Sequence, residues 1–381
     1  MAKPKHIYLY LKNFPNAGYP IITGTIKAVH GLASGLNANG VDVTLIFEGK
    51  EDSSVKTQSG YEIRCFDRSD VLSTFSIPER LKNFLENIPK DNSLVILNGI
   101  FNPTLFGISR YLNVLNIRYI LAPHGMYHPE TFKKNSFLKW PYWFCFERYI
   151  LNRAKAIQLL DMNGSKYLKK LGIKTPIISV PNGFFDKDVI AAEKLEWRND
   201  GVVKIHFFGR IDIHTKALDI LLEAISDLKK IVKLELTIQG PDWDGEKLKL
   251  EQLVTKLNIA DVVTFVEPEY VISASEVIAS HDIFCLPSRH EGFGLSALEA
   301  MLAARVLLVS NSTGIATHVS ISGCGVIVEP NVFSAIEGFK SLIENRDLWR
   351  DMGIKGRAYA LNTLNWNEIA KCALVEYSRF I

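Results

Sequence analysis

Short apolar runs alternate with helical stretches along this chain, and the alternation runs through twice. The first round has apolar runs at 7–11, 41–47, 61–66, 94–97, 119–122, 156–160 and 176–180. The second has them at 202–208, 233–239, 262–266, 283–286, 306–310 and 325–328. Helical periodicity fills the intervals, for example 25–39, 78–87, 104–115, 216–229, 246–257 and 272–280. Runs spaced in this way cannot close as hairpins. They need parallel strands joined by crossover helices. A polar stretch, 186–201, separates the rounds and reads as a linker, with Pro181-Asn-Gly183 as the hinge just ahead of it. The prediction is therefore an α/β chain of two doubly wound halves, 1–183 and 184–381, ending in helices at 332–344, 346–362 and 366–381. In such sheets ligands sit at the carboxyl ends of the strands, so the residues just after each strand carry the functional information.

Composition removes several alternatives. A chain with 47% hydrophobic and 22% charged residues buries a core and is not disordered. A net charge of +3, with no Lys/Arg block, argues against nucleic acid as a partner. The five cysteines are scattered without a C-x-x-C pair, which reads as reduced thiols of a cytosolic protein. The N-terminus runs straight into a strand with no signal-peptide core, and no apolar run reaches the roughly 18 residues of a spanning helix.

The densest chemistry lies in Pro287-Ser-Arg-His-Glu-Gly-Phe-Gly-Leu-Ser-Ala-Leu-Glu-Ala-Met301. A buried strand leads into a turn carrying Gly292 and Gly294, and a helix follows from Leu295. The first amides of a helix lack partners, so this is an anion site. The carboxylates Glu291 and Glu299 are more than an anion site needs, and they point to a ligand with hydroxyls as well as phosphate. A glycosidase pair is a poor reading, because an eight-residue, mostly helical interval puts the second acid roughly 10 Å along the axis from the first. The alternative for Glu299 is an ordinary solvent-facing helix residue.

Other strand ends are also loaded. Phe208-Gly209-Arg210 ends the first strand of the second half, and Lys216 stands at the start of the predicted helix 216–229. Two fixed cations match a diphosphate, with Arg as a fork and Lys as a point charge. The alternative is a surface Arg and a surface Lys, the usual fate of either, but a Lys at a helix N-terminus opposes the macrodipole. Pro123-His124-Gly125 ends a strand of the first half, where a His can donate to a sugar hydroxyl or serve only structurally. Gly24 precedes the first crossover helix, as a ligand-admitting position or a plain turn residue. Asp242-Trp-Asp244 resembles a metal-holding D-x-D, but in a Gly/Pro turn two exposed acids are the simpler reading. No other cluster has metal-ligand spacing, so no metal site is expected.

Taken together, these residues resemble the retaining glycosyltransferases of family four, the group 1 glycosyltransferases of GT-B fold. Glu291-Gly-Phe-Gly-Leu-Ser-Ala-Leu-Glu299 matches their E-x7-E motif. Phe208-Gly-Arg210 with Lys216, Pro123-His-Gly125-Met126, Pro181-Asn-Gly183, Gly323-Cys-Gly325 and Trp366 stand in the family's order. The resemblance implies two Rossmann-like domains facing a cleft, with an acceptor domain at 1–183 and a nucleotide-sugar donor domain at 184–381. The last helix, about 366–381, would cross back to the first domain.

The resemblance also assigns roles. Arg210 and Lys216 would hold the donor's diphosphate, Glu299 the ribose, and Glu291 the transferred sugar. The amides of Phe293, Gly294 and Leu295, after Gly292, would approach phosphate and sugar. Pro268 would lie at the base, and His124 would reach toward the donor sugar from the first domain. Gly24 would lie on the phosphate or acceptor side. The implied reaction is transfer with retention from a nucleoside-diphosphate sugar, UDP-linked, to a glycan or lipid-linked saccharide in polysaccharide biosynthesis, without metal or cofactor. A non-catalytic binder of sugar nucleotides or glycans on the same fold, or a sugar-nucleotide epimerase, are the alternatives.

Departures touch the acceptor side. Thr23-Gly24-Thr25 replaces a Gly-Gly loop, Ala304 and Val306 stand where the family carries Gly and Pro, and Gln158 and Asn163 replace a His and a Glu. Residues 132–155 mix basic and aromatic side chains. They read either as a peripheral membrane face suited to a lipid-linked acceptor or as a buried amphipathic helix, which Pro141 argues against extending.

Overall fold

A computed structural model describes residues 3–14, 24–125, 127–133, 135–198, 201–269 and 271–381. The chain divides into two compact units, residues 1–183 with 366–381, and residues 184–365. Thr23 and Met126, singled out in the sequence, lie outside the described residues.

The first unit holds an eight-stranded sheet in the order β3-β4-β2-β1-β5-β6-β7-β8. Its strands are β1 His6–Leu11, β2 Asp42–Gly49, β3 Ser53–Lys56, β4 Glu62–Asp67, β5 Ser93–Asn98, β6 Tyr119–Ala122, β7 Ala156–Leu159 and β8 Ile177–Ser179. All neighbours are parallel except β3 with β4. The apolar-run reading contains no strand at β3, because Ser53-Ser-Val-Lys56 is an exposed, polar edge without a core face. By contrast β5 is buried along its whole length, as a strand covered by helices on both faces must be. The order reverses at β1, which pairs with β2 on one side and β5 on the other.

The last helix, Trp366–Tyr377, belongs to this unit and packs on the first helix, Gly24–Ala38. Two glycines make the approach. A Cβ on Gly31 would lie 2.0 Å from the Trp366 ring, and one on Gly35 would lie 2.2 Å from the Trp366 carbonyl oxygen. At the other end, the Tyr377 hydroxyl donates to the buried Gln158 Oε1 at 2.5 Å. Gln158 thus serves to anchor the last helix.

Residues 136–153 form one helical run despite Pro141. The chain accommodates the proline by widening into a π-helical turn, Trp143–Glu147, before resuming α-helix at Arg148–Arg153. Trp143, Glu147, Ile150 and Leu151 are buried, while Phe137, Leu138 and Phe144 are exposed. The run is therefore amphipathic with an aromatic outer face, rather than interrupted.

The second unit holds a six-stranded parallel sheet in the order β11-β10-β9-β12-β13-β14. Its strands are β9 Val203–Phe208, β10 Leu234–Gln239, β11 Val263–Val266, β12 Ile283–Leu286, β13 Val306–Ser310 and β14 Gly325–Val328. Here the order reverses between β9 and β12, so the carboxyl ends of these two strands flank the switch point. The sequence pattern 216–229 is not one helix. A short turn, Ile213–Lys216, is capped by Asp212, which accepts from the Thr215 amide at 2.9 Å, and ends at the buried Ala217 with φ +56°. The helix proper is Leu218–Leu228.

Candidate active site

Four neighbouring strand ends of the second unit carry the donor-side residues in a row. Pro268 follows β11, Gln239-Gly240 end β10, Gly209-Arg210 follow β9, and the segment 287–294 follows β12. The residues that flank the switch point meet in space. The Lys216 ammonium contacts the Glu291 carboxylate, with only 14% and 22% of the two side chains exposed. Lys216 therefore stands at the end of a capped turn, just before a left-handed residue, and not at the N-terminus of a long helix. The macrodipole argument does not apply to it. Its placement comes from the break at Ala217.

Arg289 holds this contact in register. Its guanidinium binds Asp219 through two bonds of 2.8 and 2.7 Å, and its amide donates to the Thr215 carbonyl at 3.0 Å. Burial works to raise the Asp219 pKa, but the Arg289 hydrogen bonds and charge outweigh it and hold the carboxyl below its ordinary value. On the other side, the Glu291 amide donates to the Ser312 carbonyl at 3.2 Å, and its carbonyl accepts from Gly314 at 3.3 Å. Glu291 is thus fixed from two directions.

Gly294 makes the turn into helix Leu295–Leu302. Its φ is +104°, and a Cβ there would lie 2.9 Å from Leu286 Cδ2. Phe293 is buried edge-on against His318, and its carbonyl accepts from Ile315 at 2.8 Å. These contacts present the first turn of the helix, with amides that have no intrahelical acceptor, at the carboxyl edge of the sheet. Glu299 lies in the second turn and is half-buried, so it is not a plain solvent-facing residue.

Arg210 is partly exposed, pairs with Asp212 at 3.2 Å, and lies 4.3 Å over the Trp243 ring. Trp243 is a site neighbour that the sequence reading passed over, because it sits between the two acids of Asp242-Trp-Asp244. Of those acids, Asp242 accepts from the Lys247 amide at 3.0 Å, as a turn residue does. No group of three potential metal ligands exists among the described residues.

In the first unit His124 follows β6 with φ +55°. Its Nε2 lies 2.6 Å from Asn98 Oδ1. The Asn98 amide nitrogen donates to the carbonyls of Tyr10 (3.0 Å) and Ile96 (3.2 Å), which fixes Oδ1 toward the ring. An acceptor there requires the proton on Nε2, so Nδ1 carries a lone pair. Nδ1 is buried and has no partner among the described residues. Burial pushes the His124 pKa down to about 4, which keeps the ring neutral. The neutral ring thus keeps its one free acceptor, Nδ1, buried, and its one N–H engaged by Asn98.

Glu147 also escaped the sequence reading, since an acid within an aromatic run gives no signal of its own. It is fully buried in the π turn and accepts from the Phe101 amide at 3.2 Å and the Tyr127 hydroxyl at 2.7 Å. Burial drives its pKa up to about 7 against those bonds. It ties the loop after β5 to the loop after β6, the two loops that flank Asn98 and His124. Gly24 is the exposed first residue of helix Gly24–Ala38.

Two doubly wound parallel sheets, with cations, a carboxylate and a helix N-terminus at the switch point of the second, define a GT-B glycosyltransferase. Residues 22–185 match the Glycosyltransferase Family 4 model and residues 192–359 the Glycosyl transferases group 1 model. The chain belongs to this family of glycosyltransferases. It is 27% identical over 363 residues to an uncharacterized glycosyltransferase of Haemophilus influenzae, covering 93% of this chain and 94% of that one. It is 29% identical to a D-inositol 3-phosphate glycosyltransferase of Gordonia bronchialis, over 48% of this chain but only 41% of that protein's length. In fold it is similar to sucrose-phosphate synthase of Thermosynechococcus elongatus, with a TM-score of 0.74 at 19% identity over 98% of both chains. It is also similar to HepE of Anabaena in complex with UDP, with a TM-score of 0.72 at 14% identity over 98% of this chain and 100% of that one.

Proposed function

We propose that this glycosyltransferase moves a hexosyl group, with retention, from a UDP-linked donor to a glycan or lipid-linked acceptor in polysaccharide biosynthesis. The observation that carries the reading is the Lys216–Glu291 contact at the β9/β12 switch point, beside Arg210 and the Gly294 helix turn. A diphosphate entering there meets Arg210, Lys216 and the amides of Phe293 to Leu295. Glu291 is then freed to accept from hydroxyls of the transferred sugar, and Glu299 from those of the ribose, with the base at Pro268. In the retaining step the sugar–phosphate bond breaks, the acceptor oxygen bonds to the anomeric carbon on the same face, and a leaving-phosphate oxygen takes the acceptor proton. Charge growing on the leaving diphosphate is stabilised by Arg210, Lys216 and the amides, the task a metal performs elsewhere. Incubation with UDP-, GDP- and ADP-sugars in the presence of EDTA, with the product's anomeric configuration read by NMR, tests all of this. A blank across the panel, or an inverted product, rejects it.

A lipid-linked acceptor is favoured over a soluble one by the face of 127–171. A cavity of about 470 Å³ is lined there by Tyr127, Phe132, Trp140, Tyr167, Lys133 and Lys170. Beside it Phe137 is 75% and Phe144 61% exposed. Aromatics mixed with lysines suit an anionic lipid interface. No helix among the described residues is long and apolar enough to cross a membrane. Co-sedimentation with anionic but not neutral vesicles, lost in Phe137→Ser/Phe144→Ser, is the expected result. Binding that is absent or unchanged in the variant would refute the membrane face.

A further inference from the structure

The second unit has a charged cavity at the amino ends of its strands, opposite the donor-side residues. Arg305 immediately precedes β13, Asp282 immediately precedes β12, and Arg346 Nη2 donates to the Val202 carbonyl ahead of β9 at 3.2 Å. These are the amino ends of strands whose carboxyl ends carry Arg210 and Glu291. A cavity of about 210 Å³ opens there, lined by Arg198, Arg305, Arg346, Arg350, Trp197 and Trp349 among others. Four guanidinium groups face two acids in its lining, Asp282 and Asp347.

Arg305 is only 3% exposed. Half of its guanidinium has a structural task. Nε donates to the Ala303 carbonyl at 2.9 Å, and Nη1 donates to the carbonyls of Glu196 (2.9 Å) and His281 (3.2 Å). Nη2 is buried and has no partner among the described residues, and the same holds for the indole Nε1 of Trp197. Each such orphaned donor costs on the order of 1–3 kcal/mol, and both lack the same thing, an acceptor. The Trp197 ring also has two cations over it, Arg305 at 5.2 Å and Arg350 at 5.3 Å, and Arg346 lies 5.3 Å over Trp349. Arg305, Arg346 and Arg350 form no ion pair with a described residue. Cations gathered on shared indoles, outnumbering the two acids of the lining and leaving two buried donors unpaired, make a site that a compact polyanion completes.

We propose that this cavity is a second anion site, separate from the donor site, and that it takes a phosphoryl group, as free phosphate or as the phosphomonoester of a small sugar. The volume suits one such group. The fork geometry of guanidinium and the two orphaned donors suit its several acceptor oxygens, and carboxylate ligands would offer fewer. Arg346 and Arg350, at the rim, supply charge, and Arg305 with Trp197 supplies the floor.

The test is calorimetric titration with inorganic phosphate, and separately with a hexose monophosphate, at constant ionic strength. The full chain is compared with Arg346→Gln, Arg350→Gln and Lys216→Ala. Saturable binding of at least one ligand is expected, weakened at least tenfold in Arg346→Gln and in Arg350→Gln and unchanged in Lys216→Ala. UDP binding by the two rim variants should equal that of the parent chain, which shows them folded. No saturable binding, binding that survives both rim substitutions, or binding lost in Lys216→Ala would each overturn the proposal.

Discussion

The Lys216 ammonium and the Glu291 carboxylate touch across 75 residues of sequence. Their meeting is made by one backbone device, the left-handed residue Ala217, and one side-chain device, the Arg289–Asp219 pair. Because each is the other's counter-charge without ligand, loss of either alters the site more than the fold. Lys216→Ala and Glu291→Ala are each expected to lower turnover about 10²–10³-fold, the range for removing one group that stabilises developing charge. Both should unfold with a midpoint close to that of the parent chain. Full activity in either variant would remove the assigned roles.

How far the sequence carried this site depends on whether chemistry lay in a local pattern. The strand–Gly turn–helix around Glu291 and Gly294 was legible because it is contiguous and its residues have no cheaper explanation. The fold was legible for the same reason, since continuous apolar runs such as β5 and β12 can only be covered strands. What escaped has a non-local cause. Ala217 looks like an ordinary helical residue, and only the finished turn shows its positive φ. Trp243 lay inside a pattern already given another meaning. Glu147 gained its character from burial among residues remote in sequence. The exposed strand β3 carries no hydrophobic period at all.

The Asn98–His124 bond fixes the tautomer of a ring that stays neutral above pH about 4. His124 should therefore add no inflection near pH 6.5 to the pH–rate profile. Asn98→Asp puts a carboxylate against Nε2 and should raise the ring's pKa by about 1–3 units. An NMR titration of the His124 ring protons reads both values directly. A parent-chain midpoint near 6.5 would contradict the burial argument.

Gly35 lets two helices approach until the Trp366 carbonyl would lie 2.2 Å from any Cβ. That contact is backbone, so it cannot give way by a rotamer change. Gly35→Ala gains roughly 1 kcal/mol of helix propensity but should lose about 2–3 kcal/mol or more to the clash. The expected readout is release of the last helix, seen as faster proteolytic cleavage near residue 365 than in the parent chain. Unchanged cleavage would mean the two helices are not held by this contact.

His206, in the interior strand β9, and His281, just ahead of β12, stack at 4.0 Å, and both are kept neutral. Burial, with the neighbouring His281, lowers the His206 pKa to about 3, and burial lowers that of His281 to about 4. In the unfolded chain each returns to about 6.5. Between those values the unfolded state binds more protons, so stability rises with pH through this window and is lost as pH falls from 6.5 toward 4. His124, in the first unit, contributes in the same direction. Urea midpoints measured from pH 8 to pH 4 should therefore be level at the alkaline end and fall below about 6.5. His206→Gln should flatten the fall by roughly 1–3 kcal/mol over the window, since an amide carries no proton to gain. A profile equally steep in that variant would place the acid sensitivity elsewhere in the chain.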